Sequence, residues 1–459
     1  MKKFTLFFLL LMVYHCSISY AQFHTSLLLN NYLEEPVEVF TSLEKALKIP
    51  ERVKHLDLSH QRGHNLKNGI LSKMKNIRIL KLYNTDLKEL DEEILDLKNL
   101  EELDLGQNPK LALSKTFIIL QKSNKLKKLS IANSNISLIP AEIGKLTQLT
   151  DLDLHSNNLD ELPNEFIHLQ NLKNLYLQAN RFPSFPKQLT RLKKLETIDL
   201  YFNRIQEIDV EVQNLISLKY LNLSNNALTT IPENFGNINQ LERLDLSKNA
   251  LLNLGANFSV LARIPHLKYL NLEDCGLSRL PDEIGLLVNL EELSLANNNM
   301  VQLNEKIGQL KSLKSLNLDK NNFKNLPNSF ANLKNLESLH LTSLLEINWQ
   351  STWEILKNLQ TITFLNLNHN ELKSIDESIY KLKNLQVLYL DNNKIEKIEG
   401  KIGELFYLRI LSLNQNPLTK LPDELTEIPH LQELNIRNSD ILVEWLEKYK
   451  KDANFKIVY

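Results

Sequence analysis

Leu149-Thr150-Asp151-Leu152-Asp153-Leu154-His155-Ser156-Asn157 runs on into Asn158-Leu159-Asp160-Glu161-Leu162-Pro163-Asn164-Glu165-Phe166, and Leu169 closes the unit. At Leu172, 23 residues after Leu149, the pattern restarts. With Leu149 as position 1, leucine falls at positions 1, 4, 6, 11 and 14, asparagine at 9, proline at 15, and apolar residues at 18 and 21. The alternation around positions 4 and 6 predicts a short strand, with Leu152 and Leu154 on one face and Asp151, Asp153 and His155 on the other. Asn157 carries a donor and an acceptor on a short arm, suited to backbone groups where the chain leaves the strand. Leu159, Leu162, Phe166 and Leu169 then return to the same core. One unit cannot bury these side chains alone. Stacked units can, each buried leucine contributing roughly 1.5–3 kcal/mol.

The same unit starts at Val53, Ile77, Leu100, Leu126, Leu149, Leu172, Leu195, Leu218, Leu241, Leu267, Leu290, Leu313, Leu336, Ile362, Leu385, Leu408 and Leu431, seventeen repeats in all. Twelve of the sixteen spacings are 23 residues, one is 24 and three are 26, a regularity that chance does not produce. Asparagine holds position 9 in eleven repeats, Cys275 holds it in one, and Leu344 replaces it in another. Proline recurs at position 15 as Pro140, Pro163, Pro186, Pro232, Pro281, Pro327 and Pro422. A fixed φ and a missing N–H predict extended or tightly turned backbone there, with little regular helix.

This pattern resembles the leucine-rich repeat superfamily over most of the chain. The resemblance implies an α/β leucine-rich repeat solenoid: a curved horseshoe with a parallel β-sheet on its concave face and an extended or short-helical convex side. The 23-residue unit with Leu-Pro at positions 14 and 15 is similar to repeats of Ras-scaffold, plant Ras-group and exported bacterial proteins. Those relatives bind proteins through the concave face, so the resemblance implies that mode without naming a partner. The family often places cysteine at position 9, which implies that Cys275 is a buried packing residue and not a reactive thiol. Cysteine-clustered caps, common in animal extracellular members, are missing here. That fits bacterial export better.

Composition agrees with a globular chain: 43% hydrophobic and 24% charged among 459 residues. Lys2 and Lys3, the apolar run Phe4 to Val13, and Ser19-Tyr20-Ala21 predict a secretory signal over residues 1–21, with Gln22 as the new N-terminus. The run is too short for a membrane anchor. A lipid on Cys16 is disfavoured by His15, where a lipoprotein signal needs a small residue. No later stretch predicts a membrane span, and the expected location is secreted, cell-surface or periplasmic. The formal charge is −1, and removal of Lys2 and Lys3 makes it −3. That balance argues against nucleic acid as the main partner. Only Cys275 remains after cleavage, so no internal disulfide is expected.

Residues 22–52 are expected to cap the open core at the N-terminal end. Thr41-Ser42-Leu43-Glu44 has capping-box spacing, Leu43, Ala46 and Leu47 share a helical face, and Pro50 stops the helix. The repeats occupy 53–439. The 26-residue repeats, from Leu100, Leu241 and Leu336, lack the position-15 proline and carry Thr116–Leu120, Phe258–Leu261 and Trp353–Leu356, which predict helical turns. Leu344 to Trp349 is expected to protrude locally, either as a functional loop or as a tolerated irregularity. Residues 440–459 are expected to form a C-terminal cap, with Ile441, Leu442, Trp445, Leu446 and Tyr449 at helical spacing and a strand over Phe455–Tyr459.

The chain has no Walker loop, Rossmann fingerprint, zincin pair or paired CxxC. Ser42-Leu43-Glu44-Lys45 matches a serine-hydrolase tetrapeptide only by coincidence, since its supporting motifs are missing. His55, Asp57, His60 and His64 cluster in the first repeat, and His55 and Asp57 share a face, but no further metal ligand is identifiable. No cofactor and no catalytic residue is expected. Function is therefore expected on the concave face, at positions 3, 5, 7 and 8. Asp57, Asp104, Asp153, Asp199 and Asp245 at position 5 are explained by a solvated face. Two groups stand out as candidate ligand-binding residues: His155, Tyr176, Gln178, Tyr201, Phe202 and Tyr220, and then His340, Phe364, His369 and Tyr389. Exposed aromatics on a rigid face are typical binding hot spots. The expected partner is a protein. The alternative is a glycan, with tyrosines stacked on sugar rings.

Overall fold

The computed structural model describes residues 38–62, 69–255, 257–441, 446–447, 449–450 and 453–459. The predicted signal segment, His64, Leu442 and Trp445 lie outside these. The chain divides into two compact units, one ending at Arg181 and the other beginning at Phe182.

In each unit every strand is parallel to the next and strands follow chain order. Among the described residues the first unit holds seven strands, from β1 (Val39–Phe40) and β2 (His55–Asp57) to β7 (Asn174–Tyr176). The second holds twelve among its described residues, from β8 (Thr197–Asp199) to β18 (Glu433–Asn435) and β19 (Lys456–Val458). From β2 to β18 each strand takes positions 3 to 5 of its repeat and pairs at equal positions, as Asp151 does with Asn174. A period of one repeat per strand leaves no other register, because a one-residue slip would turn every leucine outward.

In the repeat from Leu149, positions 1, 4, 6, 11, 14, 18 and 21 form the core. Leu149, Leu152, Leu154, Leu159, Phe166 and Leu169 are fully buried and Leu162 nearly so. Position 9 ties neighbouring repeats. Asn157 Nδ2 donates to the carbonyls of Ile131 and Leu154 (both 3.0 Å), and its Oδ1 accepts from the N–H groups of Ser134 (2.9 Å) and Ile136 (3.2 Å). Where asparagine is absent, smaller donors reach the same kind of carbonyl: Thr85 Oγ1 to Leu82 (2.9 Å) and Cys275 Sγ to Leu246 (3.2 Å). Cys275 is buried, and burial pushes its thiol up to about 12.

After each position-15 proline the backbone makes a five-residue 3-10 turn, as at Asn164–His168 behind Pro163. The proline caps the turn in extended geometry and needs no N–H there. The turns stack closely: a Cβ on Gly144 would collide with the Glu165 carbonyl of the next repeat. The predicted helices occur in the three 26-residue repeats, at Leu113–Leu120, Phe258–Ala262 and Trp349–Leu356.

Two local expectations are corrected. The cap of the first helix, Leu43–Lys48, is Ser42 and not Thr41, because Ser42 Oγ accepts the Lys45 N–H (3.4 Å). That helix ends at Lys48, just ahead of Pro50 as its sequence implies, and Pro50 then opens a 3-10 turn through Arg52. The segment from Leu344 to Trp349 does not protrude. Leu344 and Ile347 are buried, with Leu345 alone among the segment's apolar residues strongly exposed. Asn370 Oδ1 accepts the Leu344 N–H (2.8 Å), and the Asn348 N–H donates to the Lys324 carbonyl (2.8 Å), so the neighbouring repeats absorb the missing asparagine. The pairing of β1 with β2 was not anticipated in the sequence. Two residues without a repeat leader gave no periodic signal.

Candidate functional site

The outward strand face, at positions 3, 5, 7 and 8, carries the polar and aromatic residues. Position 8 has a constraint the pattern did not reveal. Its φ is positive in all seventeen repeats, from 52° at Gln107 and Lys320 to 63° at His60. Asparagine tolerates this left-handed backbone, whereas a bulky side chain rarely adopts it. Phe202 (φ 55°) and His369 (φ 57°) both hold this position.

Position 5 is structural in most repeats. The carboxylates of Asp57, Asp104, Asp153, Asp199 and Asp245 each accept the N–H two residues on, at 2.9–3.1 Å. The expected solvated face is therefore corrected: Asp199 and Asp245 are buried, and their acceptors hold the turn off the strand. Asn222, Asn271, Asn317 and Asn366 do the same. Where position 5 is His340, Tyr389 or Ser412, position 7 of the preceding repeat takes over. Asp319 accepts from Thr342 N–H (2.5 Å), Asn368 from Asp391 N–H (2.6 Å), and Asp391 from Asn414 N–H (2.7 Å). Position 5 is thereby free to carry a ring.

In the first unit His155, Tyr176 and Gln178 line one depression of about 320 Å³. His155 Nδ1 lies 2.6 Å from Asp153 Oδ1, and its Nε2 lies 3.1 Å from Asn133 Nδ2. An amide nitrogen donates, so Nε2 accepts and the proton sits on Nδ1, which donates to Asp153. Gln178 is 3% exposed, and its Oε1 has no hydrogen-bond partner among the described residues.

In the second unit, Tyr201 and Phe202 are in ring contact (5.9 Å), and Phe202 is 55% exposed. Tyr220, by contrast, is 8% exposed. Further along, the His340 ring lies 4.9 Å from Phe364, which meets Tyr389 edge-on at 5.4 Å. His340 and Phe364 are buried, so the exposure expected of them, of Tyr220 and of Gln178 is not found. Rings on adjacent strands, about 4.8 Å apart, cover one another. Tyr389 is half-buried and His369 exposed.

Sequence reasoning missed Arg243, Tyr269, Asp319 and Asp391. The Arg243 guanidinium lies over the Tyr269 ring (4.2 Å), and the two residues are paired in register at position 3. Register was the signal that could have found them. Asp319 lies 4.0 Å from the buried His340, and burial pushes its carboxyl up to about 6.

His55, Asp57 and His60 do not converge on a metal. His60 faces Asn84 (3.0 Å), and burial first, then Lys81, lowers the His55 pKa. Among the described residues no three His, Cys, Asp or Glu side chains come together as a metal set, and no helix is long and apolar enough to cross a membrane.

The leucine-rich repeat region family matches residues 119–210 and 252–388, and a second leucine-rich repeat family matches 190–251 and 383–441. The structure is similar to that of a leucine-rich repeat protein of Leptospira interrogans, 31% identical, with a TM-score of 0.72 over 92% of this chain and 100% of that one. An internalin of Listeria monocytogenes shares the fold at 22% identity and a TM-score of 0.53, over 74% of this chain and 88% of that one. A human volume-regulated anion channel subunit is 39% identical over 74 residues, 16% of this chain and 9% of that subunit's length.

Proposed function

The chain belongs to the leucine-rich repeat superfamily, and from that membership we propose that it is an exported, non-enzymatic scaffold that holds a protein partner on its concave strand face. Phe202 carries the reading. A phenylalanine at a left-handed backbone position, 55% exposed beside the Tyr201 ring, serves folding poorly. Exposed aromatic anchors on a rigid support are what protein interfaces select. Tyr389 and His369 offer a second contact region in the same unit, with the Phe364 ring against Tyr389 and His340 against Phe364 on the neighbouring strands. The sequence supports export through the pattern of residues 1–21, and an exported protein beginning at Gln22 is the outcome that agrees.

The test is affinity capture with residues 22–459 against solubilised surface proteins, followed by titration of the recovered partner. Phe202→Ala combined with Tyr201→Ala should weaken binding at least about tenfold, the effect of losing a hot-spot pair, with an unchanged melting temperature. A partner bound equally by both proteins would remove Phe202 from the interface.

A further inference from the structure

We propose that the depression on the first unit's strand face is a separate binding site for a neutral, hydroxyl-rich ring ligand, that is, a sugar residue of a glycan. It goes beyond protein docking at Phe202, which lies in the other unit and outside this lining.

The starting observation is Gln178. Its side chain is almost wholly buried at the edge of the depression, yet its Oε1 meets no donor among the described residues. A buried acceptor left unpaired is costly, and a turn of the amide toward the depression would let a bound donor remove that cost. The position-9 asparagines of its own repeat and the one before, by contrast, pair their amides fully with backbone groups.

The lining decides the ligand's charge. Donors and acceptors alternate across neighbouring strands. Lys81 stands in register with Asp104, Glu102 with Lys128, and Lys128 with Asp151. Several of the acidic groups are already engaged. Glu102 lies 4.0 Å from Lys128 Nζ. Asp151 accepts from Thr150 Oγ1 (2.6 Å) and Asn174 Nδ2 (2.8 Å), and Asp153 accepts from His155 and Ser130. A cationic ligand would meet Lys81 and Lys128, and an anionic one would meet four carboxylates. A hydroxyl is both donor and acceptor, so it can answer either neighbour, and several on one ring can answer several strands at once. About 320 Å³ matches the lower end of small-molecule pockets, room for one or two sugar rings. Tyr176 supplies the aromatic wall of the same depression.

The test is a glycan array carrying neutral, sialylated and sulfated structures, probed with residues 22–459. Hits are then titrated against the Gln178→Leu, Lys81→Met and Phe202→Ala proteins. Neutral glycans should bind, weakening about tenfold or more with Gln178→Leu and measurably with Lys81→Met, and remaining unchanged with Phe202→Ala. Gln178→Leu should melt no lower than the parent, because an unpaired buried oxygen is exchanged for an apolar group. Lys81→Met serves as the readout should Gln178→Leu fail to fold. The proposal is overturned if no glycan binds, if only charged glycans bind, or if the Gln178 and Lys81 variants bind like the parent. Loss of glycan binding in Phe202→Ala would likewise overturn it, since the two sites would then not be separate.

Discussion

Asp319 shows how one residue records its neighbours. It is 20% exposed, accepts the Thr342 N–H, and has a carboxyl pushed by burial from an ordinary value of 3.8 up to about 6. The folded state therefore holds this proton more tightly than the unfolded chain does. Its contribution to stability is fully present below about pH 4 and is lost as pH rises through about 6. Asp319→Asn keeps an acceptor for Thr342 and removes the charge. At pH 7.5 the variant should be more stable by on the order of 2 kcal/mol in urea unfolding, and the gap should close toward pH 4. A gap that stays constant with pH, or a less stable variant at pH 7.5, would contradict this. Nothing in the sequence around Asp319 announces the effect. It follows from His340 occupying the place of an Asx residue in the next repeat, and so from a neighbour 21 positions away in the chain.

At the scale of the element, the repeat is held by its leucines and by position 9. Asn298 reaches five backbone groups from one buried amide. Nδ2 donates to Leu272, Leu295 and Ala296, and Oδ1 accepts from the N–H groups of Cys275 (3.1 Å) and Leu277 (2.9 Å). Asn298→Ala strands these groups in the core and should cost about 2–4 kcal/mol, read from the urea midpoint at unchanged slope. A loss under about 1 kcal/mol would show that the turn does not depend on this amide. This layer was legible in the sequence because each part repeats. The buried leucines, the position-9 asparagines and the helices of the three 26-residue repeats all follow from spacing, and the burial of Cys275 follows from the family resemblance. The face opposite the core was less legible. Period 2 places Tyr220, Gln178, His340 and Phe364 on the outer face. It does not say that rings and amides on the next strands will bury them. Nor did the repeat show that Phe202 occupies a left-handed position, since Asn, Ser, Lys, Asp and Gln share that column.

For the whole molecule, the proposed recognition falls to the few strand-face positions that folding does not use. Most of position 5 is committed to holding its own turn, and the large rings of the His340 group are packed against each other. Among the described repeat residues at positions 3, 5, 7 and 8, Phe202 is the large apolar side chain that remains open, and the proposed interface rests on it most heavily. The measurement that tests the claim most directly is photo-crosslinking from that position. A photoreactive phenylalanine replaces Phe202 in one protein and Leu251, an exposed leucine at position 11 and off the strand face, in another. Each is irradiated with surface proteins. A discrete adduct from position 202 and none from position 251 is the expected result. No adduct at 202, or the same adducts from both positions, would contradict a partner held on the strand face.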